Sequence, residues 1–502
     1  MKPEGLTAQP RESLSSPKDL RALVAIDLGA ESCRVSLLRW SNDSPHIELV
    51  HRFANHAIER PDGLRWDIHH IVAELERGLA ACAEIATEGI RSIAVDGWAV
   101  DYVRLGPQNN PIADPFCYRD ERTLSSEPLL HQKISAERMR DITGIQLLRI
   151  NTAYQLFADA PANRALPWLN LPEYVLHRLG GRPVAEATNA SHTQLLTLDG
   201  EWSPDIFAAT NSPLNTAPSL VQPGTDLGIL SGPLTNLPAF AHTRLIAPAC
   251  HDTASAIASI PDTGDDWAYI SSGTWSLVGT VLTAPINSQL ARSENFTNLR
   301  GVDGTFCFHK NVNGMWLLRQ CLEAWNQAAA QPNSKPLTVT QLIHEAASLA
   351  PRNYTLDVDD PDLLLPGHMP DRINAQLRRR GFPEFDPTPS HAPELASFLF
   401  HSLAARYAEV LRNVATITGK PLHRLYIMGG GSQNELLNRL TAEATGLQVV
   451  RAGTECSTLG NFAVQLAALE PPGHPRPTAA WAARIAASHQ DPAAPPSPHS
   501  VR

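Results

Sequence analysis

The sequence lacks the features of a disulfide-bonded, secreted or membrane-embedded protein. Its seven cysteines are scattered over 502 residues with no CxxC pair and no metal-type spacing to histidine, which predicts reduced thiols rather than a disulfide framework. No apolar run reaches the length of a transmembrane helix, and the polar residues 1–19 lack the apolar core of a signal peptide. These absences predict a cytoplasmic protein with no membrane partner.

Positive charge is also in short supply. The chain has 41 Lys and Arg against 51 Asp and Glu, so its formal net charge is -10, which argues against nucleic acid as a partner because nucleic acids are polyanions. Neither a G-x-x-x-x-G-K-[ST] loop nor a G-x-G-x-x-G turn after a strand is present, which argues against a Walker-type or Rossmann nucleotide site. A nucleotide would therefore be held by another kind of turn.

The chain does contain two α/β halves that begin alike. A length of 502 residues exceeds what one hydrophobic core serves, so two or more domains are expected. Each half opens with a short apolar strand, a tight turn and a second strand, and continues with helices and further strands. In the first half we predict strands Leu23–Asp27, Val35–Trp40, Ile47–Phe53 and Ser92–Val95 and a helix from Ile68 to Ile85; in the second half, strands Trp267–Ser271, Trp275–Val281, Arg424–Met428 and Gln448–Val450, a helix near Glu394–Thr418, and helices from Asn434 and Ser457.

This pattern predicts two related domains with a cleft between them. The boundary falls at Asp262–Asp266, because this stretch is short, polar and turn-forming around Gly264. We expect a disordered extension over residues 1–19, an N-terminal domain over 20–261, a C-terminal domain over 262–470 and a Pro/Ala-rich tail over 471–502.

Three turns have the composition of a phosphate-binding nest. They are Asp27-Leu28-Gly29-Ala30 after the first strand, Ser271-Ser272-Gly273-Thr274 at the matching place in the second half, and Gly429-Gly430-Gly431 between a strand and a helix. Backbone N–H groups in such turns and at helix N-termini can hold phosphate. Each turn alone also fits an ordinary tight hairpin, but the matching positions of the first two favour a shared nucleotide site.

Two aspartates fit phosphoryl transfer, which needs in-line positioning, charge neutralisation and a base for the attacking hydroxyl. Asp27 is a candidate for holding hydrated Mg²⁺, because that ion prefers hard oxygen ligands. Asp252 lies in the small-residue segment Ala249–Ala256 just before the second half, where it could act as the base. An Asp before Thr-Ala-Ser-Ala would also serve as a helix N-cap, and both alternatives stand.

A series of motifs runs in order over residues 22–468. It comprises Ala25–Ala30, Val95–Val103, Tyr118–Thr123, Asn151–Leu156, Thr188–Leu195, His251–Ala256, Ser271–Leu277, Asn295–Asn298, Lys310-Asn311, Trp316–Leu318, Gly429–Asn434 and Ser457–Asn461. Together the motifs resemble the FGGY family of carbohydrate kinases, and within it the kinases that phosphorylate L-rhamnulose. The resemblance implies two actin-like, ribonuclease H-like α/β domains, as in hexokinase and the heat-shock chaperone ATPases, around a nucleotide cleft. It also implies transfer of the γ-phosphate of ATP to L-rhamnulose, giving L-rhamnulose 1-phosphate and ADP, and we expect a monomer or small homo-oligomer.

The resemblance also implies roles for individual residues. Asp252 would be the general base, and Asp27 would hold Mg²⁺ through water. The sugar would contact Ala99, His251, Asp252, Thr253 and Asn311. ATP would lie on Ala30, Glu31, Ser32, Cys33, Arg34, Thr274, Arg319 and Gly430. Trp98 could pack on a sugar face or fill the core, and Arg122 with Asp120 could form a structural ion pair or a sugar clamp.

Five residues depart from the family pattern. Glu31 and Cys33 stand where the phosphate turn usually has Ser and Gly, Gly97 and Ala99 where the sugar loop has Thr and Gly, and Arg319 where a Gln touches the nucleotide. A carboxylate at Glu31 repels phosphate unless a cation intervenes, and Arg319 can supply that cation by pairing with Glu31 or with phosphate. The backbone at Cys33 must avoid positive φ.

Two alternatives remain within the family, and one lies outside it. The changes at Gly97 and Ala99 leave open a related kinase for another ketose, such as L-fuculose or a pentulose. Glu31 favours a homologue that binds sugar or nucleotide without turnover, although the presence of Asp252 argues against it. A chaperone-type ATPase of the same fold would need a peptide-binding domain, for which the predicted tail leaves no room.

Overall fold

The computed structural model describes residues 18–328, 335–365, 367–471 and 477–488. Residues 1–17 of the predicted extension, and residues 472–476 and 489–502 of the predicted tail, lie outside this range. Within the described residues, no helix is both long and apolar enough to span a bilayer.

The first half is built on a six-stranded sheet with helices around it. Its strands are β1 Ala22–Leu28, β2 Ser32–Ser41, β3 Ser44–Ala54, β4 Ile58–Arg60, β5 Gly63–Arg65, β6 Ile90–Gly97, β7 Tyr102–Arg104, β8 Trp168–Asn170, β9 Val184–Glu186, β10 Ser219–Val221, β11 Thr225–Ile229 and β12 Arg244–Ala247. Its helices are α1 Ile68–Ile85, α2 Arg122–His131, α3 Ala136–Thr143, α4 Thr152–Ala158, α5 Leu171–Arg178, α6 Ala187–Ser191, α7 Pro204–Thr210 and α8 Asp252–Ala258.

The central strands of this sheet form because their sequences are almost wholly apolar. All seven residues of β1 are buried, and β1 lies between β2, which is antiparallel, and β6, which is parallel. Helix α1 buries Ile71, Leu75 and Leu79 in the same core. Its N-terminus is capped by Asp67, which accepts a hydrogen bond from the His70 N–H at 2.9 Å. The strands and the helix predicted for the first half are confirmed.

The second half repeats this construction. Its strands are β13 Trp267–Ser272, β14 Trp275–Leu282, β15 Thr297–Arg300, β16 Phe306–Asn313, β17 Arg424–Met428 and β18 Gln448–Gly453. Its helices are α9 Gln289–Ser293, α10 Trp316–Ala328, α11 Val339–Ala346, α12 Met369–Arg379, α13 Ala392–Thr418, α14 Glu435–Thr445, α15 Cys456–Ala468 and α16 Thr478–Ser488. The strands and helices predicted for this half are confirmed as well.

The two sheets share one strand pattern. Their orders are β11-β12-β6-β1-β2-β3 and β15-β16-β14-β13-β17-β18. In each, a central antiparallel hairpin has a third antiparallel strand on one side, β3 or β16, and two parallel strands on the other, β6 and β12 or β17 and β18. We call β1–β2 the first hairpin and β13–β14 the second hairpin. The expectation of an α/β fold with two related halves is confirmed.

The last two helices return from the second half to the first sheet. Phe462 and Leu466 of α15 pack with Leu23 and Ala25 of β1, and Trp481 of α16 completes this cluster. One face of the first sheet is therefore covered by the C-terminal end of the described chain.

The tail prediction is wrong for Thr478–Ser488, which forms α16. Trp481, Ala482 and Ile485 of this helix are fully buried, and their spacing places them on one helical face. A composition rich in Pro and Ala hides so short a pattern in the sequence.

Hydrogen bonds also join the two halves beside the cleft. Asn298 Nδ2 in β15 donates to the Gly144 carbonyl at 3.0 Å, and Asn311 Nδ2 in β16 donates to Gln146 Oε1 at 2.8 Å. The segment after α3 is thereby fastened to the second sheet, which positions Asn311 at the junction of the two halves.

Candidate active site

Two aspartates stand side by side at the carboxyl ends of β1 and β6. Asp27 and Asp96 are partners in the parallel register and are 5% and 0% exposed. Asp27 Oδ2 accepts hydrogen bonds from Arg34 Nη1 at 2.9 Å and from Ser457 Oγ at 2.8 Å. Asp96 Oδ2 accepts one from Asn461 Nδ2 at 2.6 Å, while Asp96 Oδ1 is buried without a hydrogen-bond partner.

This pair of carboxylates fits a hydrated divalent cation. In the part of the chain that the structure describes, no three His, Cys, Asp or Glu side chains are grouped to hold a metal ion directly. A pair of carboxylates such as Asp27 and Asp96 suits hydrated Mg²⁺, because this ion keeps several of its waters and needs few direct protein ligands. Burial and the neighbouring Asp27 carboxylate raise the pKa of Asp96 well above its ordinary value. A cation near Asp96 Oδ1 would favour the ionised form and satisfy that oxygen.

The first hairpin has no room for a side chain at Gly29. A Cβ there would lie 2.4 Å from the Ser32 carbonyl oxygen. Asn55 holds the turn, since its Nδ2 donates to Gly29 O at 3.0 Å and its N–H donates to Glu31 O at 2.9 Å. Cys33 already belongs to β2, and its φ is not positive, so a side chain is tolerated where the family has glycine.

Glu31 and Arg319 face each other across the cleft. Glu31 projects from the first hairpin and Arg319 from α10, and Arg319 Nη1 donates to Glu31 Oε1 at 2.5 Å. The Arg319 guanidinium also lies over the Trp316 ring, 5.2 Å from its centroid. The two side chains are 38% and 63% exposed for Arg319 and Glu31, so water screens the pair. The compensation of Glu31 by Arg319 is present here as an ion pair that joins the two halves.

The turn of the second hairpin contacts the start of α10, which follows β16 in the chain. Gly273 O accepts a hydrogen bond from the Met315 N–H at 3.1 Å, and Thr274 O accepts one from the Trp316 N–H at 3.2 Å. A cavity of about 180 Å³ opens at this junction, lined by Thr274, Met315, Trp316, Leu318, Arg319 and Val339. Thr274 and Arg319, two of the predicted ATP-binding residues, therefore share one cavity.

The three-glycine turn after β17 packs against Ser272. A Cβ on Gly431 would lie 2.0 Å from Ser272 Oγ, and one on Gly429, whose φ is 82°, would lie 2.7 Å from Ser272 O. A Cβ on Gly430 would meet nothing within 4 Å. Gly429 and Gly431 are required by this close packing, and Gly430 has a free face on which a ligand can lie.

Asp252 is the first residue of α8. Its Oδ1 accepts hydrogen bonds from the Thr253 N–H at 2.5 Å and from Thr253 Oγ1 at 3.2 Å, and it lies 3.3 Å from His251 Nε2. The N-cap position belongs to His251. The N-cap alternative for Asp252 is therefore wrong, because its carboxylate bonds to the next residue instead of the N–H groups further along the helix.

The pKa of Asp252 lies near neutral pH. Burial and, next, the charge of Asp27 raise its pKa to about 7, although hydrogen bonds from Thr253 oppose them. The side chain is still 35% exposed. A reachable carboxyl group with such a pKa can accept a proton from a hydroxyl and release it again.

Three histidines lie near Asp252. His251 and His192 pack edge to face with ring centroids 4.1 Å apart, and His309 Nδ1 pairs with Tyr269 OH at 2.8 Å. Burial and the neighbouring His309 lower the pKa of His251 to about 3. A neutral His251 can donate a hydrogen bond from Nε2 to Asp252. His251 therefore lines the site as a polar side chain without adding positive charge.

The predicted sugar loop is held in a strained conformation. Val100 follows Ala99 and has a φ of 74°, which costs ~1–3 kcal/mol for a side chain with a Cβ and is a genuine outlier for a β-branched one. Thr152 Oγ1 and Gln155 Nε2 donate to the Val100 carbonyl at 2.7 Å and 3.3 Å. Gly97, at the start of the loop, cannot carry a side chain, since a Cβ would lie 2.6 Å from a side-chain atom of β1.

Trp98 is turned into the core by Asp101. Trp98 is 7% exposed, its Nε1 donates to Asp101 Oδ2 at 3.0 Å, and its ring lies 4.6 Å from that of Trp66. Asp101 also accepts from Trp66 Nε1 at 2.6 Å and from Gln155 Nε2 at 3.0 Å. Burial raises the pKa of Asp101 to about 6 against these hydrogen bonds. The geometry therefore fits the core alternative for Trp98.

Arg122 does not pair with Asp120, so the structural ion pair between them, one of the two alternatives for these residues, is not formed. Arg122 Nη1 donates to Asp159 Oδ1 at 2.8 Å and Nη2 donates to Gln155 Oε1 at 2.9 Å. Asp120 instead accepts from two backbone N–H groups, those of Leu64 at 2.7 Å and of Arg122 itself at 2.9 Å. Backbone donors occupy the Asp120 carboxylate, and the guanidinium takes the buried Asp159.

Sequence reasoning missed Asp96, Asp101 and Gln155. All three lie inside motifs that carry the family resemblance, but the hydrogen bonds between Asp101, Gln155 and Trp66 join distant residues and leave no local pattern. For Asp96 the signal was available, because an acid at the end of a buried strand is also what singled out Asp27.

The chain matches the FGGY family of carbohydrate kinases over nearly all of the described residues. Residues 22–258 match the family's N-terminal domain and residues 268–469 its C-terminal domain. Similar proteins include the rhamnulokinase of Bacteroides thetaiotaomicron, 34% identical over 88% of this chain and 89% of that protein, and the rhamnulokinase of Enterobacter sp., 36% identical over 90% of each. The rhamnulokinase of Bacillus subtilis is 34% identical over 88% of this chain and 90% of that protein.

Solved structures of sugar kinases share the fold at low sequence identity. The xylulose kinase from Lactobacillus acidophilus superposes with a TM-score of 0.75 at 14% identity, covering 93% of this chain and 92% of that one. The gluconate kinase from the same organism gives 0.74 at 14% identity over 92% of both chains. These likenesses establish the two-domain actin-like fold, and the sequence matches establish the family. The chain therefore belongs to the FGGY family of carbohydrate kinases and is an ATP-dependent sugar kinase.

Proposed function

We propose that this chain transfers the γ-phosphate of ATP to L-rhamnulose, giving L-rhamnulose 1-phosphate and ADP. The observation that carries the proposal is a partly exposed carboxylate, Asp252, at the start of α8, close enough to the paired Asp27 and Asp96 for the charge of Asp27 to raise its pKa. The substrate rests on three rhamnulokinases that are 34–36% identical over about nine tenths of the chain.

Asp252 is the general base of the proposed reaction. One of its oxygens accepts the proton of the sugar's 1-hydroxyl while that hydroxyl oxygen attacks the γ-phosphorus. The bond from the γ-phosphorus to the oxygen that stays with ADP breaks, and the proton on Asp252 then passes to solvent. Because the pKa of Asp252 is about 7, both the carboxylate and its protonated form are accessible at neutral pH.

Asp27 is the residue that would hold Mg²⁺ through water, with Asp96 beside it. Bound Mg²⁺ would neutralise phosphate charge and help to orient the transferred group. Arg34 and Ser457 fix the Asp27 carboxylate by hydrogen bonds of 2.9 Å and 2.8 Å. Since Arg34 comes from β2 and Ser457 from α15, the acidic group is fixed by both halves of the chain.

The remaining contacts are assigned by position. ATP is proposed to lie along Ala30, Glu31, Ser32, Cys33 and Arg34 of the first hairpin, with Thr274, Arg319 and Gly430 across the cleft. The sugar is proposed to meet the backbone at Ala99 and the side chains of His251, Thr253 and Asn311. The first-hairpin turn that Asn55 holds at Gly29 and the cavity lined by Thr274 and Arg319 support the ATP contacts.

We also propose the domain limits 20–261 and 262–470; α15, within the second limit, and α16, which follows it, cross back to the N-terminal domain. Arg424 of the second sheet contacts both Asp262 and Asp266, which fastens the segment between the halves. All seven cysteines are free and buried, which suits a reducing, cytoplasmic setting. Light scattering on the purified protein would test the proposal of a monomer or small homo-oligomer.

The test is a coupled assay of ADP release with Mg-ATP and a panel of ketoses: L-rhamnulose, L-fuculose, L-ribulose and D-xylulose. The wild type is compared with Asp252→Asn and with the matched control Asp226→Asn, a surface carboxylate paired with Arg244. We expect the highest kcat/KM with L-rhamnulose, its loss in Asp252→Asn, and no change in Asp226→Asn.

Other outcomes separate the alternatives. A higher kcat/KM with another ketose would reassign the substrate and leave the base in place. ATP binding without turnover on any sugar would contradict the kinase reaction and support a binding homologue.

A further inference from the structure

Two buried glutamates lie behind the proposed base, and nothing in the reaction described so far uses them. Glu173 in α5 and Glu186 at the end of β9 are 1% and 0% exposed. Glu173 Oε1 accepts a hydrogen bond from the Glu186 N–H at 3.1 Å, and Glu173 Oε2 accepts one from Asn189 Nδ2 at 2.8 Å. Full burial of two acids is costly, so an arrangement that retains both requires an explanation.

Glu186 is bonded to the segment that carries Asp252. Its Oε2 accepts a hydrogen bond from the Cys250 N–H at 2.7 Å. Thr188 connects the same two parts a second time, because its Oγ1 donates to Glu186 Oε2 at 2.5 Å and accepts from the His251 N–H at 3.2 Å. The two backbone N–H groups that immediately precede Asp252 are therefore both bound, that of Cys250 by Glu186 and that of His251 by Thr188.

The peptide of Cys250 is held from its other side as well. The Cys250 carbonyl accepts a hydrogen bond from the Gly97 N–H at 3.0 Å, so the start of the sugar loop is linked to the same residue. Hydrogen-bond donors surround Glu186 and favour its ionised form, which lowers its pKa. Burial has the larger effect and raises the pKa of Glu186 to about 7. Through Cys250, Glu186 and Thr188 are therefore linked both to the end of β6, which leads into the sugar loop, and to the turn that leads into α8.

We propose that Glu186 and Thr188 are positioning residues that aim Asp252 at the sugar hydroxyl by fixing the backbone of Cys250 and His251. This inference rests on the proposed function, since it assigns a purpose to the base named there. A base that is displaced by about 1 Å loses on the order of 100-fold in rate, whereas ATP binding should be unaffected, because none of the proposed ATP contacts involves Glu186, Thr188, Cys250 or His251. The proposed role therefore lowers kcat when it is removed and leaves the KM for ATP as it was.

Thr188 offers the sharpest test, because Thr188→Val removes the hydroxyl at constant shape and Thr188→Ser keeps it. With Mg-ATP and L-rhamnulose, we expect Thr188→Val to lower kcat about 10- to 100-fold with the KM for ATP changed less than about twofold. Thr188→Ser is expected to retain most of the wild-type kcat. Thermal unfolding and circular dichroism of each variant report whether the fold is kept.

A merely structural role is separated by repeating the Thr188 change in Asp252→Asn. If Thr188 acts through Asp252, Thr188→Val costs less than about twofold in that background. An equal loss in both backgrounds, or a Thr188→Val enzyme as fast as Thr188→Ser, overturns the positioning role. A wild type that turns over no ketose overturns the proposed function itself, and the positioning role with it.

The two glutamates supply a matched pair for a second test. Glu186→Gln places an NH₂ group against N–H and O–H donors next to Cys250, whereas Glu173→Gln makes the same change in an equally buried acid one step further from Asp252. We expect kcat to fall about tenfold or more in Glu186→Gln and at least threefold less in Glu173→Gln. Equal losses in the two variants would contradict a specific role for Glu186.

Discussion

The first hairpin and the second hairpin hold the same place in two sheets of the same strand pattern, but they differ in charge. The first carries Asp27, Glu31 and Arg34 within eight residues, and the corresponding stretch of the second, Ser271–Trp275, is uncharged. Both keep the tight turn that the shared geometry demands. Under the proposed function, ion and phosphate chemistry would fall to the charged first hairpin, and the uncharged second hairpin would act as a neutral support.

The neighbours of the two hairpins reinforce this division. Asp27 is bonded to Arg34 and Ser457 and lies beside Asp96. The second hairpin is packed by glycines, since Gly431 would place a Cβ 2.0 Å from Ser272 Oγ. Electrostatic variants should therefore have large effects at the first hairpin and small effects at the second.

The largest effect is expected from Asp27→Asn, set against Ser271→Ala at the corresponding position. Loss of the Asp27 charge removes the group that would hold Mg²⁺, so we expect kcat to fall about 10²–10³-fold. Ser271→Ala should change kcat by less than about threefold, because a partly exposed hydroxyl contributes little. Steady-state kinetics at saturating ATP and Mg²⁺ measure both. Equal losses would show that the two hairpins do not differ in their chemistry.

The next effect is that of pH, and it acts through the first hairpin. Asp252 accepts a proton only when ionised, and its pKa is about 7, so kcat/KM for the sugar should fall about tenfold per pH unit below that value. The charge of Asp27 contributes to this raised pKa, so the midpoint should shift to lower pH in the residual activity of Asp27→Asn and stay unchanged in Ser271→Ala. A midpoint that is the same in both would refute the coupling.

Stability should follow the opposite direction with pH. Folding raises the pKa of Asp252 from 3.8 to about 7, which disfavours the ionised form in the folded protein. The contribution of this group to the free energy of unfolding is therefore fully present below about pH 3.8 and lost as pH rises through 7. Asp252→Asn removes this dependence, and denaturant unfolding at pH 5 and pH 8 measures the difference between the two proteins.

A smaller effect is expected where the first hairpin meets the second half. Arg319→Gln leaves Glu31 without its partner, so the uncompensated carboxylate repels the nucleotide and the KM for ATP should rise about tenfold. The pair is partly exposed, and salt should therefore reduce the effect. Adding Glu31→Gln should bring the KM back to within about threefold of the wild type. A double variant as weak as Arg319→Gln would mean that Arg319 acts on the nucleotide without regard to Glu31.

The smallest effect is expected at the second hairpin. Thr274→Val removes a hydroxyl from the cavity that Thr274 shares with Arg319, and one neutral hydrogen bond is worth about 1 kcal/mol. The KM for ATP should rise about fivefold in Thr274→Val and remain near the wild-type value in Thr274→Ser. An effect as large as that of Asp27→Asn would remove the contrast between the hairpins.

Much of the fold could be predicted, because the elements that matter are encoded locally. The seven buried residues of β1 and the helical spacing of apolar residues in α1 are readable from neighbouring positions alone. Helix α16 was not predicted, since its three buried apolar side chains are too few to stand out in a Pro- and Ala-rich region. Local patterns predict strands and helices whose apolar residues recur regularly, whereas α16 is stabilised by burial against a sheet that is distant in sequence.

The site was predictable where a residue's type and its place in a motif suggest its chemistry, and it was missed where contacts between distant residues decide. Asp27 and Asp252 could be named from the sequence, but the hydrogen bond that the Cys250 N–H donates to Glu186 spans 64 residues of chain. The strain at Val100 leaves no trace either, because its φ of 74° is imposed by Thr152 and Gln155. The ion pair of Glu31 and Arg319 could be anticipated because charges of opposite sign stand at two positions where the family pattern has uncharged residues.

The return of α15 and α16 to the first sheet has a consequence for how the protein is made. Synthesis on the ribosome delivers β1 first, whereas Phe462 and Trp481, which cover Leu23 and Ala25, emerge more than 430 residues later. A nascent chain therefore exposes an apolar sheet face throughout translation of the second half. The first half is therefore not expected to finish folding as an independent unit, and its dependence on chaperones should last until α15 and α16 have emerged from the ribosome.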